Sequence, residues 1–510
     1  MFNHLFDRLL PQGLDPSRVF ITTAHGKTAH GHELTFGDLL TQSAQLALGL
    51  AEAGVSPGDV IAVQVEKSPQ AVLLMLACLR LGAVFLPLNT AYTAPEISYF
   101  LSDSRPKVFV CDPARLGELT PAANSADVAC CLTLDASGSG SLMQRAAGRS
   151  GTFANAARGP DDLAALLYTS GTTGRSKGAM LTHANLASNA EALCGLWHFT
   201  RDDVLIHALP IYHTHGLFVA INVALLAQAR LLFLPRFDVN EVMDLMPGAT
   251  SLMGVPTFYT RLVAHPGLNA AVTARMRLFI SGSAPLLAET HREFSAKTGH
   301  AILERYGMTE TGMITSNPYV GERRPGTVGF PLPDVAIRIA ESASGGRLAD
   351  GEIGVVEVRG PNVFKGYLNM PEKTREEFRA DGFFITGDLG FIDPQNYLHI
   401  IGRGKDLVIS GGFNVYPKEI ESEIDALEGV IESAVIGVAH PDLGEGVTAI
   451  VVAKPGAKLA PDAMLVLLKT RLAAYKCPKR IILVEDLPRN TMGKVQKNVL
   501  RQTYARLYGR

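Results

Sequence analysis

The segment Thr169-Ser-Gly-Thr-Thr-Gly-Arg-Ser-Lys177-Gly178 has the residue types that a polyphosphate needs. Gly171, Gly174 and Gly178 let the backbone turn tightly and approach an anion. Thr169, Ser170, Thr172, Thr173 and Ser176 bring hydroxyl donors, and Lys177 brings a charge. It is not a Walker A loop, because Lys177 follows Ser176 and precedes Gly178. Taken alone, the same composition reads equally as a solvated linker. Four further blocks carry reactive side chains: Leu209-Pro-Ile-Tyr-His213-Thr-His215-Gly216, Tyr306-Gly307-Met308-Thr309-Glu310-Thr-Gly312, Ile385-Thr-Gly-Asp388-Leu-Gly390 continuing to Gly402-Arg403-Gly-Lys405-Asp406, and Leu487-Pro-Arg-Asn-Thr-Met-Gly493-Lys494-Val-Gln-Lys497. Each has a plainer reading. Asp388 between glycines suits an Asx turn, Glu310 a helix N-terminal charge, and Lys494 a solvated turn. His213 and His215 have the spacing of a metal pair but no third ligand nearby, which argues against a metal there.

The elements that must position these groups alternate in type. Asp59–Glu66 reads as a strand, Pro69–Leu81 as a helix, Val84–Asn89 as a strand, Pro95–Ser102 as a helix and Lys107–Asp112 as a strand. Such alternation predicts a mostly parallel sheet with covering helices. The apolar run Leu163–Tyr168 reads as the buried strand that feeds the first loop. Ala136–Pro160, rich in Ala, Gly and Ser, reads as a surface connection. Alternation resumes over Leu163–Ile280, and short strands dominate from Gly326 to Ile401, with a hairpin at Asp393–Asn396. From Gly404 the order is helix (Pro417–Ala426), strand (Glu432–Val438), strand (Val447–Lys454), helix (Pro461–Ala473) and strand (Arg480–Val484), an α+β unit of a size that folds alone.

The 510 residues, 47% of them hydrophobic, allow two or three domains with large cores. A net charge of −2 gives no global field for nucleic acid or membrane. The eleven Lys and Arg between Lys469 and Arg510, against Glu485 and Asp486, read as a solvated basic face or as an attraction for coenzyme A phosphates. Six cysteines without CxxC spacing, and no signal-like N-terminus, point to a reduced, cytoplasmic protein. Ala71–Leu88 and Gly216–Pro235 approach membrane hydrophobicity, but Arg80, Gln228 and Arg230 interrupt them. Buried α/β elements fit both better than spans.

In this order and spacing, the five blocks resemble the adenylate-forming superfamily of acyl-CoA synthetases, adenylation domains and luciferases, over essentially the whole chain. The resemblance implies an α/β fold: a large N-terminal domain of doubly wound sheets with a small β-barrel-like part (1–402), then a small mobile α+β domain (403–510). It implies that the loop from Thr169 to Lys177 holds the ATP β- and γ-phosphates. Tyr306 stacks on adenine beside Ser281-Gly282-Ser283-Ala284, with Glu304, Arg305 and Gly307 completing that wall. Thr309 binds the α-phosphate, Glu310 a Mg²⁺ ion, Asp388 the ribose hydroxyls, and Arg403 sits near ribose and phosphates. Lys494 bridges the attacking carboxylate and the α-phosphate, Lys405 is the hinge, and Gly411 and Gly412 pass the pantetheine arm of coenzyme A. The implied reaction is adenylation of a carboxylic acid followed by transfer to coenzyme A. Relatives are switched by acetyltransferases and deacetylases at the residue matching Lys494, which makes such enzymes expected partners.

Within the superfamily the likeness is greatest to malonyl-CoA synthetases, which also accept methylmalonate. It rests on Met253–Tyr259, Phe279–Pro285, His207–His215 and Arg236-Phe-Asp238. A dicarboxylate needs a cation for its second carboxylate, since burying that charge unpaired is prohibitive. Arg236 is the first candidate; His207, His215 and Arg261 are lesser ones. His213 lines the acyl channel with Ser281, and Met308 floors the pocket. Three alternatives stand beside this: a synthetase for another short or medium-chain acid, a carrier-loading adenylation enzyme, and a non-catalytic acyl-nucleotide-binding protein.

Overall fold

Helix Pro69–Leu81 begins at Ser68, whose side chain accepts from the Ala71 N–H, and stops at Gly82, a left-handed residue with φ 69°. From Ala71 to Leu81 every residue is buried. That all-round burial explains the membrane-like composition, because the helix lies inside the protein between strands. Arg80, the charge that breaks the apolar run, donates to the carbonyls of Leu40 and Phe153 and to Ser43 and Asn155. The computed structural model describes residues 2–23, 31–169, 176–411, 413–490 and 493–509. Among these no helix is long and apolar enough to cross a membrane.

Strands Val60–Gln64, Val84–Pro87, Val108–Cys111, Cys130–Thr133 and Leu163–Thr169 run parallel in a seven-stranded sheet. Leu163–Thr169 then pairs antiparallel with Lys177–Thr182, so Thr169 and Lys177 face each other across the ladder. A second sheet, of nine strands, has a parallel centre: Val19–Thr23, Arg230–Phe233, Val204–His207, Ser251–Gly254, Leu278–Ser281 and Leu303–Met308. Four antiparallel strands, Ala336–Ala340, Gly354–Arg359, Phe384–Ile392 and Leu398–Arg403, form a third sheet. This is the mixed α/β architecture expected, with the Asp393–Asn396 turn closing the last hairpin.

Residues after Arg403 pack separately. Strands Val430–His440 and Gly444–Ala453 pair antiparallel, Arg480–Val484 adds in parallel, and helices Pro417–Asp425 and Pro461–Arg471 complete the unit. Its apolar side chains, from Val408 to Tyr508, form cores of their own. One expectation needs correcting. Ala136–Pro160 is not only a connection: it holds helix Ser141–Ala146, with Leu142 and Ala146 buried against helix Phe36–Glu52. Flanking Gly and Ser residues hid a helix this short, whose two buried residues give only one helical repeat.

Candidate functional site

The carboxyl ends of the parallel strands gather the chemistry-bearing residues, as is usual for open α/β sheets. In the antiparallel sheet, Asp388 and Arg403 are direct cross-strand partners, and the Arg403 guanidinium meets the Asp388 carboxylate at 2.7 Å. The Tyr306 hydroxyl, from the nine-stranded sheet, donates to the other Asp388 oxygen. Asp388 is 4% exposed, and Thr386 supports its backbone N–H. Gly387 before it has φ 71°, a turn that a side chain would resist.

On the loop side, Lys177 Nζ pairs with Glu377 Oε1 at 2.9 Å and lies 4.0 Å over the Tyr367 ring. The Tyr367 hydroxyl reaches two carboxylates, Glu377 at 2.7 Å and Glu310 at 3.1 Å. Thr169 Oγ1 also reaches Glu310, at 3.3 Å. Burial raises the Glu310 carboxyl above its usual range. Glu310 is thus a buried carboxylate served by hydroxyls, with no ion pair among the described residues. One carboxylate completed by phosphate oxygens is what Mg²⁺ favours, so the donor set fits that ion. Thr309 lies half-buried beside it. Ser170, Gly171, Thr172, Thr173 and Gly174 lie outside the described residues.

A second cluster lines the ends of strands Leu278–Ser281 and Leu303–Met308. Ser283 has φ 72°, an uncommon backbone for a residue with a side chain and one often found at functional sites. Its hydroxyl meets His215 Nδ1 at 3.3 Å. His215 opens a π-helical turn, His215–Ile221, another feature that marks functional positions. Burial, then the nearby Arg305, keeps His215 neutral, and burial lowers the His213 pKa to about 4. Arg305 is 3% exposed, and it packs so closely on Gly282 that a Cβ there would lie 2.4 Å from Arg305 Cζ and push the guanidinium aside. Burial pulls the Arg305 pKa down to about 9. The polar atoms Ser281 Oγ, His213 Nε2, Thr214 Oγ1, His215 Nε2 and Arg305 Nε and Nη2 are all buried without a hydrogen-bond partner. Ala284, Gly307 and Met308 are half-buried beside them. Glu304 points elsewhere: its Oε1 accepts the Gly326 N–H at 3.0 Å, and burial raises its pKa to about 8.

The other acid-pocket candidates sit differently. His207 uses both ring nitrogens, Nε2 toward the Gly216 carbonyl and Nδ1 toward Lys67 Nζ, each at 2.8 Å. A lysine donates to Nδ1, so Nε2 carries the ring proton. Arg236 and Arg261 are exposed, and neither makes an ion pair among the described residues.

Lys494 follows Gly493 in a turn tied by Asn490 and Arg489. Asn490 Oδ1 accepts the Lys494 N–H at 2.9 Å; Arg489 donates to the Gly493 carbonyl and pairs with Glu432. The Lys494 side chain keeps a solvent-exposed surface in a crowded cleft shared with Arg403, Asp388, Lys405 and Asp406. Desolvation there, then Arg403, lowers its pKa. Lys405 sits exposed in the turn Gly404–Asp406 directly after Arg403, and Arg501 anchors Asp406 at 2.5 Å. Gly411 is exposed with φ 59°; Gly412 lies outside the described residues. Sequence reading missed Tyr367, Glu377 and Lys67. All three lie in unremarkable stretches, and only their burial and mutual distances mark them.

The AMP-binding enzyme family matches residues 15–368, and the AMP-binding enzyme C-terminal domain matches residues 419–494. A feruloyl-CoA synthase from Amycolatopsis sp is 35% identical over 489 residues, covering 94% of this chain and 95% of that protein. The mitochondrial malonate–CoA ligase of Mus musculus is 34% identical, covering 93% and 88%. MatB from Rhodopseudomonas palustris is 59% identical over the full length of both chains. Its ATP-bound crystal structure superposes with a TM-score of 0.97 and its apo structure with 0.86.

Proposed function

The chain belongs to the AMP-binding enzyme family of acyl-CoA synthetases, and we propose that it joins malonate, and also methylmalonate, to coenzyme A with release of AMP and pyrophosphate. In the first step a carboxylate oxygen attacks the α-phosphorus of ATP, the bond to the β-phosphate oxygen breaks, and pyrophosphate leaves. In the second the coenzyme A thiol loses its proton to solvent and its sulfur attacks the acyl carbonyl, expelling AMP. Both partners of the first step are anions, so the protein must supply positive charge where they meet. Lys494 and Arg403 converge there, and Lys177 stands at the β- and γ-phosphate end. Asp388 accepts the ribose hydroxyls, Tyr306 flanks the adenine, Thr309 meets the α-phosphate, and Glu310 holds Mg²⁺. That ion, when bound, neutralises phosphate charge.

The observation that carries malonate is the wall of orphaned polar atoms at Ser281, His213, His215 and Arg305. Each buried polar atom left unpaired costs about 1–3 kcal/mol. A long aliphatic acid has no polar group beyond its reacting carboxylate to meet them, whereas a compact acid with a second carboxylate satisfies several at once. Malonate–CoA ligases among the relatives support the same reading. The decisive experiment is pyrophosphate release with malonate, methylmalonate, butyrate, octanoate and ferulate, with and without coenzyme A. Preference for malonate is expected; preference for a neutral acid would defeat the substrate assignment and leave the two-step mechanism standing.

A further inference from the structure

The partner of Lys177 is held more firmly than Lys177 itself. Glu377 Oε1 takes the Lys177 ammonium at 2.9 Å, and both side chains are half-buried. The other carboxylate oxygen, Oε2, accepts the Tyr367 hydroxyl at 2.7 Å. Lys373 approaches Oε1 at 3.3 Å, and the Glu377 carbonyl accepts the Ile385 N–H at 2.8 Å. Tyr367 is fixed in turn. It is buried, its short strand Gly366–Tyr367 pairs with Lys177–Thr182, and its N–H is donated to Thr374 Oγ1 at 2.9 Å. Lys177 reaches this anchored carboxylate on a long flexible stem, passing 4.0 Å over the Tyr367 ring. A carboxylate built beside a phosphate-binding lysine weakens the hold on phosphate, because each phosphate contact must first draw the lysine away. A site made only to bind ATP gains nothing from it, so the gain lies at another step.

We infer that Glu377 is a positioning residue for pyrophosphate release: it competes with the β- and γ-phosphates for Lys177 and recaptures the lysine as the product leaves. This rests on the placement of Lys177 at those phosphates above. When the bond between the α-phosphorus and the β-phosphate oxygen breaks, the electron pair stays on that oxygen. Pyrophosphate therefore keeps the whole charge that Lys177 met in ATP. A lysine that binds substrate and product alike adds nothing to the chemical step, and slow product release then limits turnover. Glu377 removes that obstacle, since the departing ammonium is not left bare in a half-buried place. Among the described residues, the Glu377 side chain meets Lys177, Lys373 and Tyr367, and neither Asp388 nor Arg403. Its influence should thus fall on the terminal phosphates and spare the AMP portion.

The test measures Kd for pyrophosphate and for AMP, each with MgCl2, by titration calorimetry in wild type, Glu377→Gln, Lys177→Met, the double variant and Glu376→Gln. Glu377→Gln keeps the shape and loses the charge. It should bind pyrophosphate about tenfold more tightly and release it more slowly by a similar factor in stopped flow, with AMP within about twofold of wild type. Lys177→Met should bind pyrophosphate about tenfold more weakly. Adding Glu377→Gln to it should change that Kd by less than about twofold, because the carboxylate acts through the lysine. Glu376 is exposed and pairs only with Lys373 among the described residues. Glu376→Gln should leave pyrophosphate affinity within about twofold. Unchanged or weaker pyrophosphate binding in Glu377→Gln would overturn the inference. So would an equal gain in Glu376→Gln or in the Lys177→Met background, since either would mark a mere loss of negative charge. If Lys177→Met binds pyrophosphate as wild type does, the placement of Lys177 fails, and the inference falls with it.

Discussion

Lys494 is held by its turn more firmly than its exposure suggests, with Asn490 and the Arg489–Glu432 pair fixing the backbone on both sides. Its ammonium faces Arg403, Asp388 and Lys405, the groups expected around the α-phosphate. Replacing it with Ala should cut adenylation on the order of 10²–10³-fold, comparable to losing one transition-state donor. Thioester formation from supplied malonyl-adenylate should be largely spared, and equal losses in the two half-reactions would reject the assignment. Acetylation should act in the same way because it removes the charge. Its lowered pKa also fixes the direction of the alkaline limb. The charged form is required, so adenylation should decline at a lower pH than an ordinary lysine would give. In Lys494→Arg, which stays charged, that limb should move up.

Glu304 offers a stability test. Its carboxyl is raised to about 8, so between the unfolded value near 4.5 and about 8 the folded state holds a proton that the unfolded state lacks. Its contribution is full below pH 4.5 and lost as pH rises through about 8. Glu304→Gln should flatten that slope, gaining on the order of 3 kcal/mol at pH 8 relative to pH 5 in urea unfolding. Residue types and order were legible in the sequence, because phosphate loops and carboxylate–glycine turns carry local patterns. The unpartnered burial of Arg305 was not, since no local pattern encodes burial or partnership.

At the scale of elements, the turn Gly404–Asp406 is the place where motion would concentrate. It follows the last strand of the antiparallel sheet and precedes a unit with its own cores. Lys405→Pro fixes φ at this position. Acyl-adenylate should still form while coenzyme A transfer collapses, as judged by pyrophosphate release against thioester yield. Unchanged overall turnover would place the hinge elsewhere. The long regular elements, such as Pro69–Leu81 and the strands of the C-terminal unit, read well because each carries a clear period and a cap. Helix Ser141–Ala146 did not, since six residues are too few to show one. The π-helical turn at His215 also escaped sequence reading, because its extra residue per turn leaves no compositional trace.

Across the whole molecule, the match to the ATP-bound form of MatB and the approach of Lys494 to Asp388 and Arg403 describe one arrangement of the two units. Among the described residues, few ion pairs bind them in it. Lys454–Glu289 is half-exposed on both sides and contributes little. Double replacement of that pair by Ala should therefore leave the balance of the two half-reaction rates within about twofold, as a stopped-flow comparison would show. The charges proposed to meet the nucleotide are meanwhile already paired within the protein, Lys177 with Glu377 and Arg403 with Asp388. Nucleotide binding is then an exchange of counterions within the protein and not a simple addition of opposite charges. Added salt screens the pairs that are given up as well as those that are gained. Affinity for ATP should consequently fall less steeply with ionic strength than in a site whose cations stand free, and the slope of log Kd against log salt measures how complete that exchange is.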